Sequence, residues 1–232
     1  MGMTVTTTID DGVAVVTMDD GKMNAVSHAV LADLHAALDT SLAEARAVCI
    51  VGNEKALSAG FDLAVMTGDD PDAVIALVKA GAELMMRLYV HPQPTVAAVT
   101  GHAMAAGALL ALSCDTRIAA PGRAKIGLNE VGIGLAMPAF GIELATARLS
   151  PRALTRAVVQ AELFDPEGAA AVGYVDRVEE GCVAVAVEEA RRLGALSPKA
   201  YGKTKVAIRQ PLVDRVLGGL SANLTGFGVE QD

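Results

Sequence analysis

Two neighbouring stretches, TGHAMAAGALLALSCD over Thr100–Asp115 and IGLNEVGIGLAMP over Ile126–Pro138, decide how the chain folds. The first has no formal charge before Asp115, and with the apolar run from Thr95 it is long enough to cross a membrane. Thr95, Thr100, His102 and Ser113 interrupt it, and Gly101 and Gly107 break its regularity, so it predicts a buried strand, a turn and the start of a buried helix. The second stretch is a Gly-rich loop closed by Pro138 that holds one carboxylate, Glu130. A carboxylate among Gly, Ala, Ile, Leu and Met resists ionising, so its pKa should rise toward the range useful for proton transfer. Read from the residues alone, Glu130 could equally cap a turn or pair with Lys125.

Upstream, SAGFDL over Ser58–Leu63 reads as a tight Gly turn before a helix. Such a turn can aim backbone N–H groups into a cleft as an oxyanion hole. Thr4–Ile9 and Val13–Met18 alternate around Asp10-Asp11-Gly12, which predicts an antiparallel hairpin. Ser27 is placed to cap a helix with Leu31, Leu34, Leu38 and Leu42 on one face. Ala47–Val51 is a short apolar strand, and Asp69-Asp70-Pro71 opens a helix that buries Val74, Leu77, Val78, Leu84 and Leu88. His91-Pro92-Gln93-Pro94 stops that helix before a strand at Thr95–Val99. Strands alternating with helices predict parallel units. Beyond Pro138 strands nearly vanish, and Pro151–Gln160, Pro166–Val172, Val183–Leu193 and Pro198–Arg209 read as helices.

The 232 residues are 52% hydrophobic yet only 3% aromatic, without Trp, so Ala, Val, Leu, Ile and Met must build the core. A net charge of −8 argues against nucleic acid and fits a polyanionic ligand only if a few cations gather locally. Cys49, Cys114 and Cys182 sit in apolar runs without metal spacing and read as reduced packing residues. No GxGxxG, Walker or zinc motif is present, so no cofactor and no metal is expected. The N-terminal stretch alternates like a strand and not like a signal peptide, which predicts a cytoplasmic protein without membrane association.

SAGFDL, GHAMAAG with SCD after it, LNEVGIG with its closing Pro, and DGKMNAV near the N-terminus together resemble the crotonase superfamily, the enoyl-CoA hydratase/isomerase family. The similarity runs from about Asp19 to Arg209. It implies an α/β fold, a ClpP-like spiral of ββα units, with a core domain over 1–195 and a helical trimerisation region over 196–232. A homotrimer or dimer of trimers follows from it, as does an acyl-CoA thioester substrate of which CoA is a part. Residues 224–232, LTGFGVEQD, lack the basic character many members have near their C-terminus.

Carried over residue by residue, the resemblance makes Glu130 the catalytic base and the backbone N–H groups of Phe61 and Ala106 the oxyanion hole. Ala105-Ala106-Gly107 could alternatively only let a helix start pack closely. Lys22, Met23, Asn24 and Ala25 match the segment that skirts CoA, although Lys22 also reads as an ordinary surface lysine. Ala59, Gly60, Asp62, Leu63 and Gly107 fall in the substrate-binding motifs, with Asp62 placed to cap the following helix. Leu109 and Pro138 would wall the acyl pocket. His102 has a structural and a pocket reading, and Asp115 is expected to satisfy backbone groups.

Hydratases of the family use two glutamates, and Leu109 occupies the place of the first. One carboxylate suffices to shuttle a proton from C2 to C4 of a 3-enoyl thioester, and IGLNE with that leucine looks like the mitochondrial-type Δ3,Δ2-enoyl-CoA isomerases. A 2-enoyl-CoA hydratase working with one glutamate is the nearest alternative. A non-catalytic acyl-CoA binder is the alternative of another class, and a buried Glu130 argues against it.

Overall fold

The hairpin around Asp10-Asp11-Gly12 is realised by β1 (Thr4–Asp10) and β2 (Val13–Asp19), with Thr4 opposite Asp19 and Asp10 opposite Val13. It opens a computed structural model that describes residues Thr4–Thr225. There follow α1 (His28–Glu44), β3 (Ala47–Val51), β4 (Ala56–Ser58), α2 (Leu63–Met66) and α3 (Pro71–Tyr89). Next come β5 (Thr95–Val99), β6 (His102–Met104), α4 (Ala106–Ser113), β7 (Thr116–Ala119) and β8 (Ile126–Gly127). The chain closes with α5 (Ala139–Arg148), α6 (Pro166–Val172), β9 (Arg177–Val178), α7 (Cys182–Gly194) and α8 (Pro198–Asn223).

The strands form two sheets, one of order β1-β2-β3-β5-β7-β9 and a smaller one of order β4-β6-β8. After the hairpin every pairing between strands is parallel. Each turn of the spiral sends one strand into the large sheet and the next into the small one, giving the pairs β3–β4, β5–β6 and β7–β8. The first two turns continue into α2–α3 and α4, so the ββα spiral is present. The alternation of strand and helix in the sequence hides β4, β6 and β8, which have only three, three and two residues.

The large sheet is covered on both faces, which is why β3, and β5 after Thr95, are apolar. Val48, Ile50, Ala97 and Val99 face the main core with α1, α3 and α4. Cys49, Val51, Val96 and Ala98 face α7, whose Cys182, Ala186 and Ala190 present small side chains that allow close approach. All three cysteines are buried and free. Among the described residues no helix is long and apolar enough to cross a membrane.

Ser27 and Asp70 cap α1 and α3 as expected, each accepting from backbone N–H groups of the first turn. Leu42 departs from expectation, because it is 47% exposed and Ser41 takes its place in the buried face. Ser41 Oγ lies 2.8 Å from Leu38 O and 3.0 Å from Gln93 Oε1, two acceptors for its one hydrogen, so a satisfied hydroxyl replaces a leucine. Pro151–Gln160 is a turn followed by a π-helical segment over Thr155–Val159 and not an α-helix.

The last helix continues past Arg209 and through Pro211 to Asn223. Proline removes the bond to the carbonyl of Ala207, but Ala207 is exposed and water can serve it. Buried Leu212, Val213, Val216 and Leu220 hold the later turns. Packing of α8 on α3 and α5 places it against the core of its own chain. Residues 226–232, the end of the expected 196–232 region, lie outside the described residues.

A buried ion cluster fastens this helix. Asp115 Oδ2 accepts from Lys205 Nζ at 2.8 Å and Tyr201 Oη at 2.7 Å, and Oδ1 accepts from Arg209 at 2.6 Å. The same carboxylate accepts the Thr95 N–H at 2.9 Å, the backbone role expected of it. Burial alone would raise its pKa, but Lys205 and Arg209 outweigh burial and lower it. Tyr201, Lys205 and Arg209 stand four residues apart on one face of α8, so one carboxylate locks two turns of helix. Removing one member of a buried ion pair costs about 3–5 kcal/mol. We expect Asp115→Ala to lose stability in that range in urea denaturation, more than any exposed Asp→Ala change.

Candidate active site

The turn at Ser58–Leu63 is fixed by bonds on both sides. Gly60 N donates to Ser58 Oγ at 3.1 Å, Val26 N donates to Gly60 O at 2.8 Å, and Asp62 N donates to Val26 O at 3.0 Å. In that parallel bridge the N–H of Phe61 points away from Val26, toward the side of β6 and α4. It has no acceptor among the described residues. Gly60 has φ of +117°, and a Cβ there would meet the Ala105 Cβ at 3.2 Å and the Ala106 N at 3.8 Å. The two turns therefore lie side by side.

The second turn is strained. Ala105 has φ 49° and ψ −124°, a conformation that costs a residue with a side chain about 1–3 kcal/mol. It starts α4 abruptly, and the N–H of Ala106, the first of that helix, is left without an acceptor among the described residues. Close packing holds the turn in place: a Cβ at Gly107 would fall 2.1 Å from Ser58 O. Gly107 is thus a packing residue, and the close-packing reading of this turn holds together with its free N–H.

These turns form one wall of a cavity of about 330 Å³. Ala59, Gly60, Phe61, Leu63, Leu109, Glu130 and Pro138 of the expected residues line it, as do Met66, Val78, Ala105, Asn129, Ile133, Leu135 and Phe140. The Phe61 ring lies on α3, where a Cβ on Gly81 would come within 2.4 Å of it. Leu109 is fully buried in the wall, and Pro138 starts α5 at the edge. Ala106 does not itself reach the cavity surface and sits directly behind Ala105.

Among the described residues Glu130 is the one ionisable side chain of the lining. It is buried, and no cation or N–H reaches its Oε2 among the described residues. Pairing with Lys125 does not occur: its side chain is exposed while Glu130 is buried, and its backbone N–H donates to His102 Nδ1 at 3.0 Å. That bond also gives His102 its structural role. The backbone of Glu130 turns the loop: its carbonyl accepts from Ile133 N at 3.0 Å and Leu135 N at 2.9 Å. Burial pushes the carboxyl up to about 7, against a smaller opposite pull from the N–H groups of Glu130 and Asn129.

The remaining expected residues stand elsewhere. Asp62 caps α2, accepting from Ala64 N at 3.0 Å. Asn24 is wholly buried with φ of +54°, and its Nδ2 donates to Met18 O at 2.8 Å and Ala56 O at 2.9 Å. It ties β2 to β4 and presents no side chain to a ligand. Lys22 is exposed and Ala25 half-buried, and neither lines the cavity. Met23 opens on a shallow depression beside Lys55, His102 and Arg123, and its carbonyl accepts from Ala59 N at 2.9 Å at the cavity rim.

A wider cleft of about 950 Å³ lies between the ends of the large-sheet strands and the start of α7, and no buried carboxylate or cation faces it among the described residues, only the Cys182 thiol. Among the described residues no group of three or more His, Cys, Asp or Glu is arranged so that it could hold a metal ion. Asn129, beside Glu130, is the polar cavity residue that the sequence reading passed over. Its place next to the carboxylate in LNE was the available signal.

A spiral of ββα turns around an apolar cavity with one buried carboxylate defines the crotonase class of α/β protein. A family model for enoyl-CoA hydratase/isomerase matches residues 8–229. The chain is 32% identical over 222 residues to the human mitochondrial enoyl-CoA delta isomerase 1, covering 93% of this chain and 74% of that protein. It is 30% identical over 206 residues to the 2,3-dehydroadipyl-CoA hydratase of Escherichia coli, covering 85% and 78%. A crystal structure of an enoyl-CoA hydratase/isomerase family protein from Pseudomonas syringae superposes with a TM-score of 0.92 at 41% identity, covering 96% and 97%. The chain belongs to the enoyl-CoA hydratase/isomerase family and is an enzyme of that family.

The raised carboxyl has a consequence for stability. A carboxyl whose folded pKa lies above its unfolded value near 4.5 favours the fold below that value, and the benefit is lost as pH rises through about 7. Above pH 7 the folded protein bears the full cost of a desolvated charge. Glu130→Gln should therefore raise the thermal midpoint at pH 8 and leave it nearly unchanged at pH 4, as read by calorimetry.

Proposed function

We propose that this enzyme moves a double bond in a fatty enoyl-CoA thioester from the 3 to the 2 position, with Glu130 as the proton shuttle. The observation that carries the reading is that, among the described residues, Glu130 is the sole ionisable group of the cavity, with Leu109 in the same lining. The thioester oxygen is held by the N–H groups of Phe61 and Ala106. Glu130 takes a proton from C2, the charge spreads as a dienolate onto that oxygen, and the same proton returns at C4. Backbone donors aimed at the developing oxyanion are each worth roughly 2.7–4 kcal/mol. A base near pKa 7 suits the exchange, because it gives the proton back as readily as it takes it.

The acyl chain lies against Leu63, Met66, Val78 and Phe140, all apolar. The CoA end leaves past Met23, where Lys55 and Arg123 offer the local positive charge that phosphates need on a chain of net charge −8. CoA enters only as part of the substrate, and no other cofactor takes part. The relatives include both an isomerase and a hydratase. Wild-type rates on 3-enoyl and 2-enoyl thioesters of several lengths separate the two reactions, and a larger kcat/KM for hydration would overturn the isomerase reading. Glu130→Gln should lower turnover about 10²-fold or more with KM little changed. The wild-type kcat/KM should rise with pH to a plateau, with its midpoint near 7.

Assembly as a homotrimer, or a pair of trimers, is part of the same proposal. Ile208 on α8 is 73% exposed and Leu217 on the same helix is 43% exposed, which favours cover by a second copy. Solution scattering should give a trimer or hexamer at micromolar concentration, and a monodisperse monomer would remove this part of the reading.

A further inference from the structure

The side chain of Phe61 has a place of its own, apart from the backbone N–H of that residue. It is half-buried, lines the cavity and reaches across to α3, where the ring ends on Gly81. A Cβ at Gly81 would stand 2.4 Å from the ring Cζ, 2.5 Å from Cε1 and 3.8 Å from Cε2, so its three nearest neighbours all belong to that one ring. Val78, one turn earlier on the same face of α3, is buried and lines the same cavity. Glycine inside a helix is less stable than alanine, because it has more backbone freedom to lose. Gly81 is buried in the interior of a 19-residue helix, and no positive φ calls for glycine there. The Phe61 ring accounts for it.

The cavity has an open rim and a closed floor. Leu63 and Ile133 are exposed, whereas Val78, Leu109 and Phe140 are buried. The seat of the ring on Gly81 lies beside Val78, on the floor side. At about 330 Å³ the cavity is at the low end of small-molecule sites, which span roughly 300–1,000 Å³. We propose that the Phe61 ring, seated on Gly81, sets the length of acyl chain the enzyme takes, so that short and medium chains enter and long ones do not. The inference rests on the reading of this cavity as the acyl pocket. A methyl group added by Gly81→Ala has to displace the ring, because α3 is packed on α1, α4 and α8 and cannot recede. The open space beside the ring is the cavity, so the pocket becomes shorter. Phe61→Ala does the opposite and uncovers the surface of α3 at Gly81 for the end of a longer chain. Neither change alters Glu130 or deletes the N–H of residue 61.

The test uses the full-length parent, Gly81→Ala, Phe61→Ala and the double variant. Each is assayed on 3-enoyl and 2-enoyl thioesters of four, eight, twelve and sixteen carbons, and calorimetry follows binding of the saturated acyl-CoA of each length. A methylene more or fewer in an apolar pocket changes kcat/KM about 10–200-fold. The parent should therefore turn over the eight-carbon thioester about tenfold or more better than the sixteen-carbon one. Gly81→Ala should lower kcat/KM on the eight-carbon thioester about tenfold or more beyond its effect on the four-carbon one. Phe61→Ala should raise the twelve-carbon rate relative to the eight-carbon rate by a similar factor. In the double variant no ring remains for the added methyl to displace, so Gly81→Ala should then have little further effect. A general loss of packing would not produce that departure from additivity.

A parent with equal kcat/KM from eight to sixteen carbons would overturn the proposal. A loss in Gly81→Ala that is the same at every length, or a length preference in Phe61→Ala that matches the parent's, would do so as well. If circular dichroism shows that Gly81→Ala does not fold, the parent and the Phe61→Ala series decide the matter. Saturated acyl-CoAs that bind at every length without preference remove only the length gauge. If none of them binds, the reading of the cavity as an acyl pocket fails and the gauge fails with it.

Discussion

The first turn of α4 lies so close to Ser58 that a Cβ on Gly107 would stand 2.1 Å from its carbonyl oxygen, and the shape of the cavity wall depends on that contact. It presses the turn at Gly60 against the turn at Ala105 and forces Ala105 into a conformation that residues with side chains avoid. Among the described residues the N–H groups of Phe61 and Ala106 beside this contact have no acceptor, and an unpaired N–H is expensive inside a protein unless a ligand meets it. The spiral explains why the contact is possible. Successive turns place β4, β6 and β8 in parallel, so residues that follow each short strand converge on one side of the small sheet.

Glu130 carries a different kind of cost. Its loop supplies the carboxylate with no cation and surrounds it with aliphatic side chains, which is unfavourable for the ionised form. The cost is not repaid by local pairing, in contrast to Asp115, whose charge is met by Lys205 and Arg209. One chain thus holds two buried carboxyls with opposite fates. The paired one is kept ionised and secures α8, and the unpaired one is pushed toward neutrality.

Much of this was legible in the residues. The bounds of β3 and β5 and the caps of α1 and α3 follow from apolar runs, Pro and capping side chains. Glu130 stood out as the one carboxylate of an apolar, Gly-rich loop, with Lys125 as its one candidate partner. Other features were hidden for physical reasons. Strands of two or three residues are too short for a period to register, so β4, β6 and β8 came only with the family resemblance. Leu42 fits the helical period, yet Ser41 is buried instead because Leu38 and Gln93 satisfy its hydroxyl. Asn24 falls within a ligand-binding motif but works inward, since φ above zero and three buried carbonyls suit a short amide. The Asp115 cluster joins residues about ninety positions apart, and only the four-residue spacing of Tyr201, Lys205 and Arg209 hinted at it. Asn129 was passed over because an asparagine in a Gly-rich loop reads as a turn residue.

The central claim is that desolvation, not a neighbouring charge, tunes Glu130 for proton exchange at neutral pH. Carbon-13 labelling of the glutamate carboxyls, with the resonance assigned by its loss in Glu130→Gln, would follow the titration of this group directly. The account predicts a midpoint near 7, well separated from the other glutamates. A midpoint in the ordinary range near 4.5 would contradict it.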